Sequence, residues 1–361
     1  MTPREREIME LIRKNPSLSQ QEIAEMLSIK RSSVAVHINN LSNQGYILGR
    51  GYILRDEPYI TVVGGANLDI FGYTNESIVY KDSNPGHISQ STGGVGRNIA
   101  ENISRLNLRT SLITAIGEDD KGKIILNELK ELGIDTENII ILPHERTSVY
   151  LAILDENRDM ELAINDMDIM DKLNPNLLSK KKKIIENSVG TVLDTNLSQE
   201  ALDYLLKMVD QKYYIDAVSA KKAMKIKNLL DKIYFLKANI YEAMVLSDMK
   251  IKNISDAEIA AKKLIDLGVE SLVITMGEDG SIYADKKNLV YIKSKPIKVS
   301  NASGAGDAFM SAYVYGNIKK MKLKDKLRFA TAASRVALLS ERTNSERFVL
   351  ETIEEEMKNV E

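Results

Sequence analysis

From Tyr59 onward, short β-rich apolar runs alternate with helical stretches, and this alternation constrains the fold more than any other feature of the 361-residue chain. The runs lie at residues 60–63, 111–116, 191–193, 213–215, 233–236 and 272–275. Strands separated by a helix-length segment pair in parallel, because the crossover must carry the chain back to the same end of the sheet. The expected class is α/β, with a mainly parallel sheet flanked by helices. Ligands on such sheets collect at the carboxyl ends of the strands, and the polar residues fall there: Asn67 and Asp69, Asp194 and Asn196, Asp216, Asn239 and Glu242, Thr275 and Gly277. Two stretches break the alternation, and they predict a small β lid built from segments at about 70–92 and 146–166.

Residues 301–309 read Asn-Ala-Ser-Gly-Ala-Gly-Asp-Ala-Phe. Gly304, Ala305 and Gly306 have little or no side chain, so their backbone N–H groups can approach a ligand closely, and the apolar helix expected from Ala308 adds the pull of its N-terminus on negative charge. A phosphoryl group fits such a turn. Asp307 at its edge would repel phosphate but is well placed to take a proton from an attacking hydroxyl, which suggests a kinase. Taken alone, so short a motif equally fits an ordinary tight turn before a helix.

Charge is nearly balanced, with 49 Lys and Arg against 51 Asp and Glu, so any pull toward nucleic acid must be local. With no cysteine and three histidines (His37, His87, His144), a metal would have to bind oxygen. Thr2-Pro3-Arg4-Glu5 is not the start of a signal segment, and no run of about 18 apolar residues exists. A cytoplasmic protein with no membrane partner is expected.

Residues 1–57 have a character of their own. Thr2 to Glu5 and Ser19 to Glu22 are capping boxes, and apolar residues at helical spacing follow each, with a third helix carrying Val34, Ile38 and Leu41. Residues 45–54 place aromatic and aliphatic residues on both sides of Gly49-Arg50-Gly51, the pattern of a hairpin. Three helices and a hairpin make a winged helix-turn-helix. Between Glu25 and Asp56 every charged residue is basic, and Lys30, Arg31, Ser32, Ser33 and His37, with Arg50 at the wing tip, stand where such a module meets double-stranded DNA. A docking or dimerisation role is the alternative. Asp56-Glu57-Pro58 reads as the linker, dividing the chain into domains 1–57 and 58–361.

Three other patterns are set aside. Gly117 to Lys123 has P-loop spacing, but Ile124 replaces the magnesium-binding hydroxyl and three carboxylates line the cradle. Phe309 stands where a dinucleotide fingerprint needs its third glycine. Lys180 to Lys183 reads as a solvated helix surface.

From about Tyr59 to Glu346 the chain resembles the ribokinase-like, or PfkB, carbohydrate and nucleoside kinases. Gly93-Gly94-Val95-Gly96-Arg97-Asn98-Ile99-Ala100 is similar to that family's first signature and residues 301–309 to its second, in the right order. Lys237-Ala238-Asn239-Ile240-Tyr241-Glu242 resembles the K-P-N-x-x-E element, with Ala238 in place of proline, and Thr275-Met276-Gly277-Glu278-Asp279-Gly280 the nucleotide-binding strand and turn. The resemblance implies ATP and Mg2+, with Asp307 as general base and Gly304, Ala305 and Gly306 as the anion hole. It further implies that Asn67, Asp69, Gly93, Gly94 and Asn98 meet sugar hydroxyls, that Asn239 and Glu242 organise magnesium through water, and that Thr275, Gly277 and Gly280 border the nucleotide. Asn301 replaces an aspartate near the family's monovalent-cation site, which puts K+ activation in doubt. Residues 93–102, 155–169 and 194–198 are similar to the pseudouridine-phosphorylating members of the family. In that reading Asn165 and Asp166 lie near the base and Asn196 in the substrate site, and the protein is a nucleoside kinase, expected as a homodimer. Kinases of another nucleoside or of a free sugar, and a regulator that only senses such a ligand, are the alternatives.

Overall fold

The computed structural model describes residues 1–16, 18–47 and 58–361. Among these, the main sheet is built from β1 (Tyr59–Val63), β4 (Arg109–Ile113), β9 (Gly190–Asp194), β10 (Tyr213–Asp216), β11 (Phe235–Asn239), β12 (Ser271–Thr275), β13 (Ser281–Asp285) and β14 (Leu289–Ile292), in the order β14-β13-β12-β11-β10-β9-β1-β4. The six strands from β12 to β4 are parallel, while β13 and β14 add an antiparallel edge. The parallel strands are buried on both faces, so they read as continuous apolar runs rather than alternating ones. One core cluster lies on each face: Leu193, Ile215, Leu236 and Ile274 on one side, and Ile60, Val62, Val192, Phe235 and Tyr313 on the other.

A second sheet, ordered β3-β2-β7-β8, joins β2 (Asn67–Thr74), β3 (Gly86–Gly93), β7 (Val149–Leu154) and β8 (Met160–Asp166). Its strands come from the two stretches that interrupt the alternation. The expected single strand at 111–116 is instead two. It breaks at Thr114, whose carbonyl accepts from Ile140 N at 2.9 Å, and the chain continues as β5 (Ala115–Gly117), paired with β6 (Ile140–Leu142) outside the main sheet. The run at 233–236 also starts later, at Phe235, and extends to Asn239.

In the N-terminal region, α1 (Pro3–Lys14), α2 (Gln20–Met26) and α3 (Arg31–Asn43) pack around Ile8, Ile12, Ile23, Val34, Ile38 and Leu41. Both expected capping boxes form: Thr2 and Ser19 each accept from the backbone of the glutamate three residues on, and Glu5 and Glu22 reach back to the cap N–H. The expected hairpin from residue 48 on, with its Arg50, and the linker residues Asp56 and Glu57 lie outside the described residues.

Candidate active site

The helix Ala305–Ile318 begins at Gly304, whose φ of +81° is left-handed; a Cβ there would stand 2.3 Å from the Thr343 carbonyl oxygen. The conformation and the close approach both require glycine. The turn therefore presents bare backbone N–H groups, the unsatisfied donors of a helix start. Asp307 sits in the first helical turn, 8% exposed, and its Oδ2 accepts from Asn98 Nδ2 at 2.9 Å.

Asn98 belongs to the helix Val95–Arg105, which starts at Gly94 with φ +99°; a Cβ on Gly94 would lie 2.5 Å from the Gly65 carbonyl oxygen. This approach seats the helix directly on the end of β1. Arg97, nearly fully buried, pairs with Glu101 at 2.6 Å and Glu128 at 2.7 Å, and its Nη1 donates to Asn98 Oδ1 at 3.2 Å. That bond fixes the amide so that its NH2 faces Asp307. Asn344 Nδ2, from the loop after the last long helix, donates to the Asn98 carbonyl at 3.2 Å and to Glu101 Oε2 at 2.7 Å.

Burial and the nearby Asp216 carboxylate raise the Asp307 carboxyl to about 7, against the Asn98 hydrogen bond and the Lys237 ammonium. Lys237, in the middle of β11 beside the last residue of β10, pairs with that residue, Asp216, Nζ to Oδ2 being 3.2 Å. Its Nζ lies so close beneath the turn that a Cβ on Gly306 would meet it at 2.4 Å. Burial works against the ammonium, but the carboxylates of Asp216, Glu242 and Asp307 outweigh it and push Lys237 up, so it stays charged. Asp194, wholly buried at the end of β9, is raised by burial and accepts from Gly65 N and Asn196 N, each at 2.8 Å.

Asn67 Nδ2 donates to Asp69 Oδ1, and burial raises Asp69 to about 6, against that bond and the nearby Arg97 charge. A Cβ on Gly93 would strike Asp69 Oδ2 at 2.1 Å, so the first signature closes over the same carboxylate. Across the second sheet the register Ser91, Asp69, Tyr150, Asn165 forms one row. Neighbours across strands share a face, so Asn165 lies on the Asp69 face together with Phe71 and Tyr150, whose rings meet edge to face at 6.4 Å. Asp166, one residue on, turns to the other face and approaches Arg146 at 3.6 Å. The structure thus separates the expected pair: Asn165 faces the Asp69 side and Asp166 does not.

Asn196 Oδ1 accepts from Lys222 Nζ. Asn239 caps the helix Ile240–Ser247 in a capping box: Glu242 N donates to its Oδ1 at 3.0 Å, and Glu242 accepts from Asn239 N at 2.8 Å and Nδ2 at 2.7 Å. Burial raises Glu242, opposed by Lys237. Among the described residues no group of three or more His, Asp or Glu side chains stands ready for a metal. The buried Glu242 carboxylate, whose oxygens each accept one bond from Asn239 and which lies near Lys237, has lone pairs to spare and fits a hydrated Mg2+, a cation that keeps several waters and takes the rest of its oxygens from substrate phosphates. Thr275 pairs across the sheet with Asn239, and Gly277 and Gly280 form the turn that follows, both at positive φ.

The strand-end pattern already marked Asp194 and Asp216 for the site, whereas Arg97 and Lys237 had no assigned role from sequence. The available signal was a charged residue set among apolar or small neighbours, as in Gly96-Arg97-Asn98-Ile99 with Glu101 four residues on.

In the N-terminal region Lys30 occupies the cap position of α3, with Arg31 first in the helix and Ser33 half-buried. His37 leans back to α1, with Nδ1 3.8 Å from Glu5 Oε1, and so departs from the expected outward set.

Residues 57–347 match the pfkB family carbohydrate kinase model. The chain belongs to this family. Residues 1–47 match a winged helix-turn-helix DNA-binding model. Two Escherichia coli members of the family are similar to it: the uncharacterized sugar kinase YeiI is 35% identical over 96% of this chain and 96% of its own length, and pseudouridine kinase is 37% identical over 81% of this chain and 94% of its own. The carbohydrate kinase from Agrobacterium tumefaciens superposes with a TM-score of 0.76 at 25% identity, covering 84% of this chain and 98% of that one. The chain is a ribokinase-like phosphotransferase with an alcohol acceptor. Among the described residues no helix is long and apolar enough to cross a membrane.

Proposed function

We propose that the protein transfers the γ-phosphoryl group of ATP to the 5′-hydroxyl of pseudouridine. The observation that carries the reading is the carboxyl of Asp307, held by Asn98 at the bare helix start after Gly304. In this reaction Asp307 accepts the hydroxyl proton as the oxygen attacks phosphorus. The N–H groups of Gly304, Ala305 and Gly306 meet the charge that spreads over the transferring oxygens, with the Lys237 ammonium behind them. Asn67, Asp69 and the backbone at Gly93 and Gly94 hold ribose hydroxyls, together with Asn196, buried beside Gly65 and Asp194. Asn239 and Glu242 would hold Mg2+ through its waters; bound there, the ion neutralises phosphate charge. Thr275, Gly277 and Gly280 border the nucleotide.

A nucleoside, rather than a free sugar, is supported by the Asp69 face of the second sheet, where Phe71 and Tyr150 offer an apolar aromatic pair set edge to face and Asn165 an amide. A C-linked uracil carries an extra N–H for that amide, which is exposed in the free protein, and once a bound base covers it, leaving it unpaired costs about 1–3 kcal/mol. The deciding experiment is ADP release with magnesium ATP and pseudouridine, uridine, adenosine or ribose, with Asn165→Ala beside the wild type. Preference for pseudouridine that weakens in the variant is expected. Unchanged preference in Asn165→Ala removes the base assignment, and turnover with ribose alone favours the second reading, a free-sugar kinase, which the match to YeiI over nearly the whole chain supports. No turnover with any acceptor leaves a ligand-sensing regulator.

The winged helix-turn-helix binds double-stranded DNA through Lys30 and Arg31, tested by a salt-dependent gel shift. The homodimer covers the other face of the second sheet, where Ile88, Leu162 and Ile164 are 78%, 59% and 55% exposed; a monomer mass by sedimentation at micromolar concentration would remove it.

A further inference from the structure

The DNA reading says that α3 meets a duplex; the outward stripe of that helix says which bases it reads. Val34, Ile38 and Leu41 are buried against the domain core, while Ser32, Val36 and Asn39 are exposed at i, i+4 and i+7, a single line along the opposite side. Val36 is 59% exposed, a large apolar side chain that the described residues of its domain leave uncovered. Asn40 is drawn back to Glu5, and His37 approaches the same carboxylate, so neither belongs to the stripe. Basic groups are confined to the start of the helix, at Lys30 and Arg31, where they suit phosphate oxygens or the edge of a site. The stripe itself holds no lysine, arginine, aspartate or glutamate.

Each base pair shows a distinct pattern in the major groove. Guanine is most often read by arginine or lysine on O6 and N7, and cytosine by a carboxylate on N4. The stripe has none of these side chains. Adenine is read by an asparagine or glutamine amide on N6 and N7, and the thymine methyl by an apolar contact. Asn39 and Val36 supply that pair of chemistries one turn apart, and the hydroxyl of Ser32 fits either kind of base pair.

We propose that Val36 and Asn39 read adjacent A·T base pairs in the major groove, so that the protein selects duplexes with an A·T core flanked by phosphate contacts from Lys30 and Arg31. The proposal rests on the DNA reading above and adds its sequence preference.

The test uses the full chain. Bound duplexes are selected from a random library at low salt, and the core of the enriched site is then rebuilt with uracil for thymine, removing the methyl, or 7-deazaadenine for adenine, removing N7. An A·T core is expected, with binding weakened about fivefold or more by 7-deazaadenine and by a smaller factor by uracil. Val36→Ala should become indifferent to uracil and Asn39→Ala to 7-deazaadenine, each with the melting temperature of the wild type, since both side chains are exposed. A G·C core, binding without an enriched site, or analogue effects that persist in both variants overturns the base reading while leaving DNA binding in place. Absence of any bound duplex at low salt overturns both.

Discussion

Asp307 must be ionised to accept a proton, yet its surroundings favour the protonated form. Burial and Asp216 raise it to about 7, and the Asn98 amide and the Lys237 ammonium are the groups that keep it from rising further. The arrangement suits a base working near neutral pH, where a group whose pKa matches the medium transfers protons best. Because the folded carboxyl binds its proton more tightly than an unfolded one, near 3.9, the folded state carries the extra proton between roughly pH 4 and 7, and stability falls as pH rises through that window. Asp307→Asn removes the buried charge. It should therefore abolish turnover, by at least about a hundredfold, while ATP and nucleoside still bind. Its melting temperature should exceed that of the wild type at pH 8, with the difference shrinking to nothing near pH 4. The wild type's kcat/KM should lose activity on the acid side with a limb near 7. Near-normal turnover in Asp307→Asn would remove the base assignment, and a stability difference that ignores pH would remove the account of its charge.

At the scale of elements, glycine positions separate what the fold needs from what the site needs. Gly304 and Gly133 are both left-handed, at φ +81° and +70°, but a Cβ on Gly304 meets the Thr343 carbonyl at 2.3 Å whereas one on Gly133 meets nothing within 4 Å. Alanine costs about 1–2 kcal/mol of backbone strain at either place, and only at Gly304 must the turn also move. Gly133→Ala should lower stability with turnover intact; Gly304→Ala should lose turnover by tenfold or more. Equal effects in the kinase assay would show that the turn's shape is not what matters. The same distinction governs what was legible in the sequence. Local signals did well: both capping boxes, the helix after Asp307 and the strands at 60–63 and 272–275 each follow from the residues on the spot. Pairing decisions made at a distance were not legible. The change of sheet after Thr114 depends on Ile140, and the antiparallel edge of β13 and β14 depends on β12 lying beside it. The lysine run at Lys180 to Lys183 reads as a solvated surface, yet Lys181 is half-buried and donates to Asn138 Oδ1 at 3.1 Å, and Lys182 donates to the Met208 carbonyl at 2.9 Å. In the candidate site, Asp307 and Asn67 could be picked from the turn and the strand ends, while Arg97 and Lys237 pair with groups about 30 and 20 residues away in sequence, Glu128 and Asp216.

The whole molecule sets its two regions at opposite ends of one sheet. The end of α3 meets the segment before β9: Asn187 Nδ2 donates to the Gln44 carbonyl, Gly45 packs on Ile184, and Tyr59 at the start of β1 donates through its hydroxyl to the Ile184 carbonyl at 2.6 Å. The candidate site lies at the other ends of the same strands, where β9 finishes in Asp194 and β1 leads to Gly65. A five-residue parallel strand spans about 16 Å, and both β1 and β9 are buried along their whole length in close-packed neighbours. Coupling carried by these strands would have to shift them along their axis against both neighbours, and among the described residues the end of α3 meets the kinase domain through the Asn187–Gln44 hydrogen bond and the packing beside Gly45. Saturating duplex DNA should therefore leave kcat and the KM for the nucleoside within about twofold, the range in which no coupling worth 1 kcal/mol is present. A larger change in KM, reversed by Asn187→Ala, would instead make β9 the element that carries nucleoside occupancy to the winged helix. Where that change lies in the nucleoside's dissociation constant, reciprocity requires the nucleoside to alter DNA affinity by the same factor, so measuring either affinity with and without the other ligand decides between two functions sharing a chain and one function with two ligands.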